Sequence, residues 1–313
     1  MVNFRFHLVS LIAVFLAIGL GILVGSTVVD QAIVDRLDRE IEEARNENGD
    51  LRGQIGRLQA DLGRADDYIA QSAPHAVDGR LEGVPVAVLT EAGIDGDDVE
   101  AIVEMLRDAG AEPTLIRLEE RWRLEDPGDV AALREVFDAT GPPERVRETA
   151  LDAIAARLVE APDPPTDGEP VIDPLVRLAD AGFVEVDGDL DLGAFPPRPA
   201  RAVVVTGTDS DLLDVDRPLS AALARALLAA DVPTVVGEVY GGSGEPDAPT
   251  RGATLAGVRG DGDLSSAVST VDDLDAVPGR VATVIALEDL VTGRVGHYGY
   301  GEGAAEAIPR AAP

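Results

Sequence analysis

The chain has 313 residues and a formal net charge of −32 at pH 7. A surface this acidic repels nucleic-acid backbones and anionic lipid headgroups, so the sequence argues against both as partners of the water-exposed part. All 26 basic residues are arginines, cysteine is absent and methionine occurs twice, which excludes disulfides, cysteine nucleophiles, thiolate metal sites and a methionine-rich copper pathway.

An uncharged apolar segment lies near the N-terminus, from Leu8 to Val29. At about 1.5 Å per residue, a helix of this length crosses a hydrocarbon core of ~30 Å. The apolar part of a cleaved signal peptide is shorter, roughly 7–15 residues, and ends in an Ala-x-Ala-like site that is not clear here. We therefore predict that residues 1–30 form a cytoplasmic N-terminus and an uncleaved transmembrane signal-anchor. A cleaved signal peptide is the alternative.

The charges beside this segment predict its orientation. Arg5 precedes the span, whereas Asp30 and Asp35 follow it before the next arginine, so we expect the N-terminus inside and the bulk of the chain outside. Within the span, Gly21 and Gly25 have a spacing that lets two membrane helices approach closely. The predicted location is a single-pass membrane protein whose bulk is extracytoplasmic, in the periplasm or cell envelope.

Residues 31–72 carry the pattern of a coiled coil. From Val34 onward, mainly apolar residues alternate three and four positions apart without a break. β-Branched residues predominate at one core position, leucine or alanine occupies the other, and Asn48 is a single polar core residue. This combination favours a parallel homodimer in fixed register; the alternative is a single amphipathic helix. The predicted dimerisation residues are Val34, Leu37, Ile41, Ala44, Asn48, Leu51, Ile55, Leu58, Leu62, Ala65 and Ile69, with Gly21 and Gly25 in the membrane.

Residues 81–313 predict an extracytoplasmic α/β domain with a Rossmann-like fold. Short apolar runs that suit buried strands alternate with amphipathic helical segments, and the unit from residue 201 to residue 240 reads strand, helix, strand. A proline-rich connector occupies residues 161–170. The expected strands are 84–89, 112–118, 183–186, 201–207 and 233–240, and the expected helices are 97–110, 143–160, 174–182 and 218–232. Residues 264–274 are expected to add a short strand, and 278–293 favour a helix because a proline begins the segment and a glycine ends it.

No catalytic, metal or cofactor site is predicted for this domain. Loops at strand ends, where α/β proteins bind ligands, lack dinucleotide and P-loop glycine patterns. The acidic run Asp209, Asp211, Asp214 and Asp216 lacks the spacing of a calcium loop and reads as a solvated segment. His297 is the one histidine of the domain, and no GxSxG nucleophile motif is present. The expected role is therefore interaction and not enzymatic chemistry.

The segment GRVGHYGYGEGA, residues 293–304, is the most distinctive part of the domain. Its glycines do not lead into a long helix that could hold an anion, and one histidine alone is a poor metal site. We expect structural packing of this segment. Because tyrosine is enriched in interfaces, the alternative is a partner surface formed by His297, Tyr298 and Tyr300.

The layout as a whole resembles a known family. The N-terminal HLVSLIAVFLAIGLGILVGS, the coiled coil, the α/β domain and the terminal GHYGYGEGA are similar to the actinobacterial MctB/SteB family, whose members carry the label of copper transporter. The resemblance implies two functions. One is copper export or resistance through an outer-membrane channel. The other is a membrane-anchored periplasmic partner in envelope assembly and division, acting with a SteA-like protein and a peptidoglycan hydrolase.

The residues favour the second of these functions. A single apolar helix per chain, without a long series of alternating lipid-facing strands, does not readily wall a pore. Copper handling also calls for cysteine, methionine or clustered histidine, which this chain almost lacks. We therefore expect a dimeric scaffold or regulator of the cell envelope, with copper transport as the alternative that the resemblance implies.

Overall fold

A computed structural model describes residues 4–160, 173–186, 200–212, 218–241 and 249–310, except the side chains of residues 26–32. These residues form a mixed α/β protein with an N-terminal apolar helix and a mostly parallel sheet. The chain divides into two compact units, Met1–Asp67 and Tyr68–Pro313. The predicted connector at 161–170 lies outside the described residues.

The N-terminal unit consists of one helix, α1, which spans Phe4–Val77 and continues into the second unit. Its section Phe4–Gly25 is long and apolar enough to cross a membrane, and all of that section's side chains are exposed. Four glycines between residues 49 and 63 do not interrupt the helix. Each lowers helix stability by up to ~1 kcal/mol.

The second unit is built on a seven-stranded sheet in the order β3-β2-β1-β4-β5-β6-β7. Every described strand pair is parallel except β2 with β3. The strands are β1 Pro85–Glu91, β2 Glu112–Leu118, β3 Val184–Val186, β4 Arg201–Gly207, β5 Thr234–Val239, β6 Ser269–Val271 and β7 His297–Tyr298. The order matches a Rossmann-like arrangement in which the chain reverses its direction of travel across the sheet at β1.

Helices connect the strands and cover both faces of the sheet. After α1, they are α2 Gly96–Asp108, α3 Pro127–Phe137, α4 Pro143–Val159, α5 Pro174–Asp180, α6 Leu219–Ala229, α7 Ala256–Arg259, α8 Gly262–Ala267 and α9 Val277–Leu290. Two short 3-10 turns lie at Glu120–Arg123 and Ala253–Leu255.

Strand side chains alternate between two hydrophobic cores. In β1, Ala87 and Leu89 point into the core that contains α3 to α6, whereas Val86 and Val88 point into the core that contains α2, α9 and the last turns of α1. Because both faces are buried, the strands are continuously apolar instead of alternating apolar and polar residues. The second core begins at Ala73 and Val77, so the C-terminal end of α1 is a packed part of this unit.

The expected strands and helices of the α/β domain appear in the structure, with three additions. Residues 278–293 contain helix α9, as the flanking proline and glycine indicate. The segment 264–274, which was expected to add a short strand, begins with the end of α8 and continues into β6. Helix α3, helix α7 and strand β7 were not predicted.

Candidate functional site at the carboxyl edge of the sheet

Parallel strands place all their carboxyl ends at one edge of the sheet, and ligands of such folds bind there, at the point where strand order reverses. In this chain that point lies between β1 and β4. The loop after β1 and the loop after β4 are in close contact, because a Cβ on Gly93 would lie 2.8 Å from the backbone nitrogen of Asp211. The crevice between the two strands is therefore closed by the protein's own loops.

Glu91 occupies the centre of this closed crevice. It is the last residue of β1 and is buried, and its Oε2 accepts hydrogen bonds from the Thr206 hydroxyl at 2.9 Å and the Ser210 hydroxyl at 2.7 Å. Burial raises the pKa of Glu91, and the hydrogen bonds from Ser210, Thr206 and the backbone of Ser220 oppose that rise.

The contact with Ser220 matters because this residue lies in the first turn of α6, where Pro218 gives no side-chain cap. The Glu91 carboxylate thus lies against the first turn of the helix that follows β4.

The first turn of α2 is likewise occupied by the chain's own carboxylates. Asp95 accepts a hydrogen bond from the backbone N–H of Asp97 at 2.9 Å, and Asp97 and Asp98 lie within the first turn. Negative side chains stabilise a helix N-terminus but repel an incoming anion. Neither helix that begins at the reversal point therefore presents a free anion site.

A cavity of about 540 Å³ lies beside Glu91, between the ends of β1 and β2. Arg117 and Arg121 line it together with Glu91, Glu119 and further acidic side chains. Arg121 is held by Asp129 at 2.7 Å and lies over the ring of Phe183. The described lining holds no histidine, cysteine or lysine, so it brings together no pairing of a nucleophile with its usual base.

The C-terminal glycine-rich segment is attached to the sheet by Asp272, which follows β6 directly. Its Oδ1 accepts hydrogen bonds from the backbone N–H groups of Tyr300 at 2.8 Å and Gly301 at 2.9 Å, and its Oδ2 pairs with Arg259 at 2.9 Å. Gly299 has φ +121°, and a Cβ there would lie 2.1 Å from Asp272 Oδ1. The glycine is required because the backbone approaches a buried carboxylate.

His297 belongs to the same network. The Thr270 hydroxyl lies 2.9 Å from His297 Nδ1 and also accepts a hydrogen bond from Arg259 Nε at 2.9 Å. Since Arg259 is the donor in that second bond, the threonine proton is available to His297 Nδ1. Burial and the nearby Arg259 charge lower the pKa of His297, so this imidazole is a neutral structural group near pH 7.

The three residues proposed as a partner surface differ in exposure. Tyr298 is 8% exposed and belongs to the second core, His297 is half-buried, and Tyr300 is 72% exposed. The structure brings them together on and beside β7, but it leaves Tyr300 as the main side chain available for contact. This part of the segment combines structural packing with one projecting aromatic ring.

A second group of charges lies next to Asp272. Arg251 forms two hydrogen bonds with Asp275, at 2.7 and 2.9 Å, and lies over the ring of Tyr240. Asp273 is 2% exposed, and its Oδ1 has no hydrogen-bond partner. Burial, and secondly the charge of Asp272, raise the pKa of Asp273 to about 6. Among the described residues, no group of three or more histidines and carboxylates is arranged to hold a metal ion.

The predicted dimerisation residues all lie on α1 and are exposed in the single chain. The large apolar ones from Val34 to Ile69 are between 36% and 64% exposed. Gly21 and Gly25 also lie on α1, with open space where a Cβ would project. Of the acidic run, Asp214 and Asp216 lie outside the described residues.

Comparison with known proteins gives a match over almost the whole chain. The family description "Copper transport outer membrane protein, MctB" matches residues 1–309. A protein of Mycobacterium tuberculosis H37Rv named "Copper transporter MctB" is 29% identical over 97% of this chain and 98% of its own length. The protein of the same name from Mycobacterium leprae is 28% identical, again over 97% of this chain and 98% of its own length.

Replacing Asp272 with asparagine tests how the C-terminal segment is attached. The change leaves the buried Arg259 without its counter-charge, so we expect a loss of about 3–5 kcal/mol in the free energy of unfolding and faster proteolysis within residues 293–304. Urea unfolding and limited proteolysis of the full chain in detergent measure both. Asp263→Asn, at an exposed carboxylate, is the control and should change stability by at most about 0.5 kcal/mol. Similar behaviour of the two variants would contradict the assigned role of Asp272.

Asp273 predicts a pH dependence of stability. Folding raises the pKa of Asp273 from 3.8 to about 6. Its contribution to the free energy of unfolding is therefore fully present below about pH 4 and is lost as pH rises through about 6. Asp273→Asn removes this loss. The difference in free energy of unfolding between the variant and the original chain should therefore shift by about 2 kcal/mol in favour of the variant between pH 4 and pH 8. Unfolding free energies measured at both pH values provide the check, and parallel stability curves for the two proteins would refute it.

Proposed function

The chain belongs to the MctB family, and from that premise we propose that it is a membrane-anchored parallel homodimer that serves as a scaffold or regulator in the cell envelope. The proposal assigns Phe4–Gly25 to the membrane and residues 31–72 to a dimeric stalk. It assigns the α/β domain to partner binding outside the cytoplasm. A SteA-like protein or a peptidoglycan hydrolase is the partner that the family resemblance implies.

One observation carries the dimer: a long stripe of apolar side chains on α1 is exposed in the single chain. Leu37, Leu51 and Leu58 are at least half exposed, yet they lie at the regular spacing of a coiled-coil seam. Burial of a leucine side chain yields roughly 1.5–3 kcal/mol, and pairing with a second copy would bury the whole stripe. This gain would also offset the cost of the stalk glycines.

The carboxyl edge of the sheet supports interaction in preference to chemistry. Asp95 caps α2, the helix that follows the first strand and holds the phosphate in dinucleotide-binding folds, so that position is occupied by one of the chain's own carboxylates. His297 is engaged with Thr270. Tyr300, which is exposed, is held in place by the bond from its backbone to Asp272. An exposed aromatic side chain on an acidic chain suits a partner with a basic surface.

Copper transport is the second candidate, because the family description and the names of both mycobacterial relatives refer to it. The outer membrane is the location that this description implies. The chain itself has three histidines, two methionines and no cysteine, which are few donors for copper. A copper role would therefore fit best as an indirect effect of envelope organisation.

Disulfide trapping tests the dimer, and the absence of cysteine from the chain removes any background. Leu51→Cys lies on the predicted seam and should form disulfide-linked dimers in membranes under mild oxidation. Asn46→Cys lies on the outer side of the same helix and should give far less. Gel electrophoresis without reductant measures both. Equal or absent dimer bands for the two variants would exclude the parallel coiled coil.

Photocrosslinking tests the partner role. A photoreactive residue in place of Tyr300 should capture an envelope protein in cells, whereas the same residue at the exposed Glu135 on α3 should not. Helix α3 packs against α4 and α5, and α5 packs against β3, whereas Tyr300 follows β7, at the opposite edge of the sheet. Mass spectrometry identifies the captured protein. A deletion strain provides the comparison with copper transport: envelope or division defects without added copper support a scaffold, while a defect confined to copper-supplemented medium supports transport.

A further inference from the structure

The membrane section of α1 contains an apolar groove with glycine at its centre. Seven residues line it: Leu11, Ile12, Phe15, Leu16, Gly19, Leu20 and Leu23. Four of these, at positions 16, 19, 20 and 23, form the diamond-shaped set of helix positions that receives a side chain from a facing helix in coiled-coil packing. Since Gly19 has no side chain, the floor of this diamond is open, and a facing helix can approach closely.

The groove lies on the same side of the helix as the stalk stripe. At 3.6 residues per turn, Leu16 lies about five full turns before Val34. Gly19 likewise lies about five turns before Leu37, and Leu23 lies about five turns before Ile41. Because helix α1 is unbroken between these positions, each groove residue points in nearly the same direction as its stalk counterpart.

The glycine pair Gly21 and Gly25 lies on the opposite side. Five turns beyond Gly21 is Arg39, and five turns beyond Gly25 is Glu43, both of which are exposed charged residues of the stalk. A straight helix drifts by only ~20° per heptad relative to a coiled-coil seam, which is too little to bring this face round to the stripe. One pair of helices therefore cannot use both the stalk stripe and the Gly21–Gly25 face.

We infer that the transmembrane helices of two copies pack through the face of Leu16, Gly19 and Leu23, as a direct continuation of the stalk seam, and not through Gly21 and Gly25. This inference rests on the homodimer of the proposed function. The occupant of the groove is a second copy of the same helix, with its own Leu20 inserted over Gly19. Both copies are anchored at the same end, so a parallel stalk dimer brings these two faces together without twisting either helix.

Single-cysteine variants in native membranes test the face. Leu16→Cys and Leu23→Cys should form disulfide dimers in several-fold higher yield than Gly21→Cys and Val14→Cys, which lie on the other side. Leu51→Cys in the stalk serves as the reference for the dimer itself. Strong trapping at Leu51 with the yield at Gly21 exceeding that at Leu16 would overturn the inferred face while the dimer stands. No trapping at any position would overturn both.

A pair of glycine substitutions provides the matched control. A Cβ at Gly19 or at Gly21 would have no described side chain or distant backbone atom within 4 Å, so we expect neither substitution to disturb the single helix. In the background of Leu23→Cys, Gly19→Leu should reduce the yield of disulfide dimer by roughly threefold or more, whereas Gly21→Leu should leave it unchanged. Equal reductions, or a larger effect of Gly21→Leu, would contradict the inference.

Discussion

A long unbroken helix fixes the direction of every side chain along it, and the organisation of the N-terminal unit follows from this constraint. The membrane section and the stalk belong to one continuous helix. The helix face that pairs in the stalk therefore also determines which face of the membrane section is turned toward a second copy. In the proposed dimer, the hydrophobic effect would drive burial of the stalk stripe, whereas in lipid the contact would have to come from close packing. Gly19 would provide room for that packing on the face that continues the stalk seam. The two environments would thus stabilise one seam by different physical means.

In the second unit, the same need to satisfy polar groups shapes the carboxyl edge of the sheet. Parallel strands bring loop ends and helix N-termini to this edge, with backbone N–H groups that require acceptors. The chain supplies its own: Glu91 for α6, Asp95 for α2, and Asp272 for the turn at Tyr300 and Gly301. Burial of a carboxylate at this edge has a cost, visible in the raised pKa of Glu91 and of Asp273, the neighbour of Asp272. At this edge, part of the demand for acceptors is therefore met by the chain's own carboxylates.

The sequence predicts the strands and most helices because the signals are local. A parallel strand buried on both faces is a short apolar run, and α2 shows an apolar stripe between an aspartate cap and a glycine stop. Helix α3 has comparable signals in Asp126, Pro127 and the spacing of Val130, Leu133 and Val136, so a helix could also have been predicted between residues 118 and 143. Strand β7 has two residues and exists only through pairing with β6. The roles of Glu91 and Asp272 depend on residues such as Thr206 and Tyr300, which are distant in sequence, so no local pattern indicates them.

The placement of histidine bears on the choice between scaffold and copper transport. In a parallel dimer, a residue meets its own copy only at seam positions, and counting heptads from Val34 places both His7 and His75 off the seam. Dimerisation therefore does not assemble a two-histidine site from either residue. His297 is committed to Thr270 and kept neutral by burial beside Arg259. The donors that copper prefers are few in this sequence, whereas the apolar stripe and Tyr300 are exposed. Under the proposed function, an effect on copper would therefore arise through the proteins that the dimer binds.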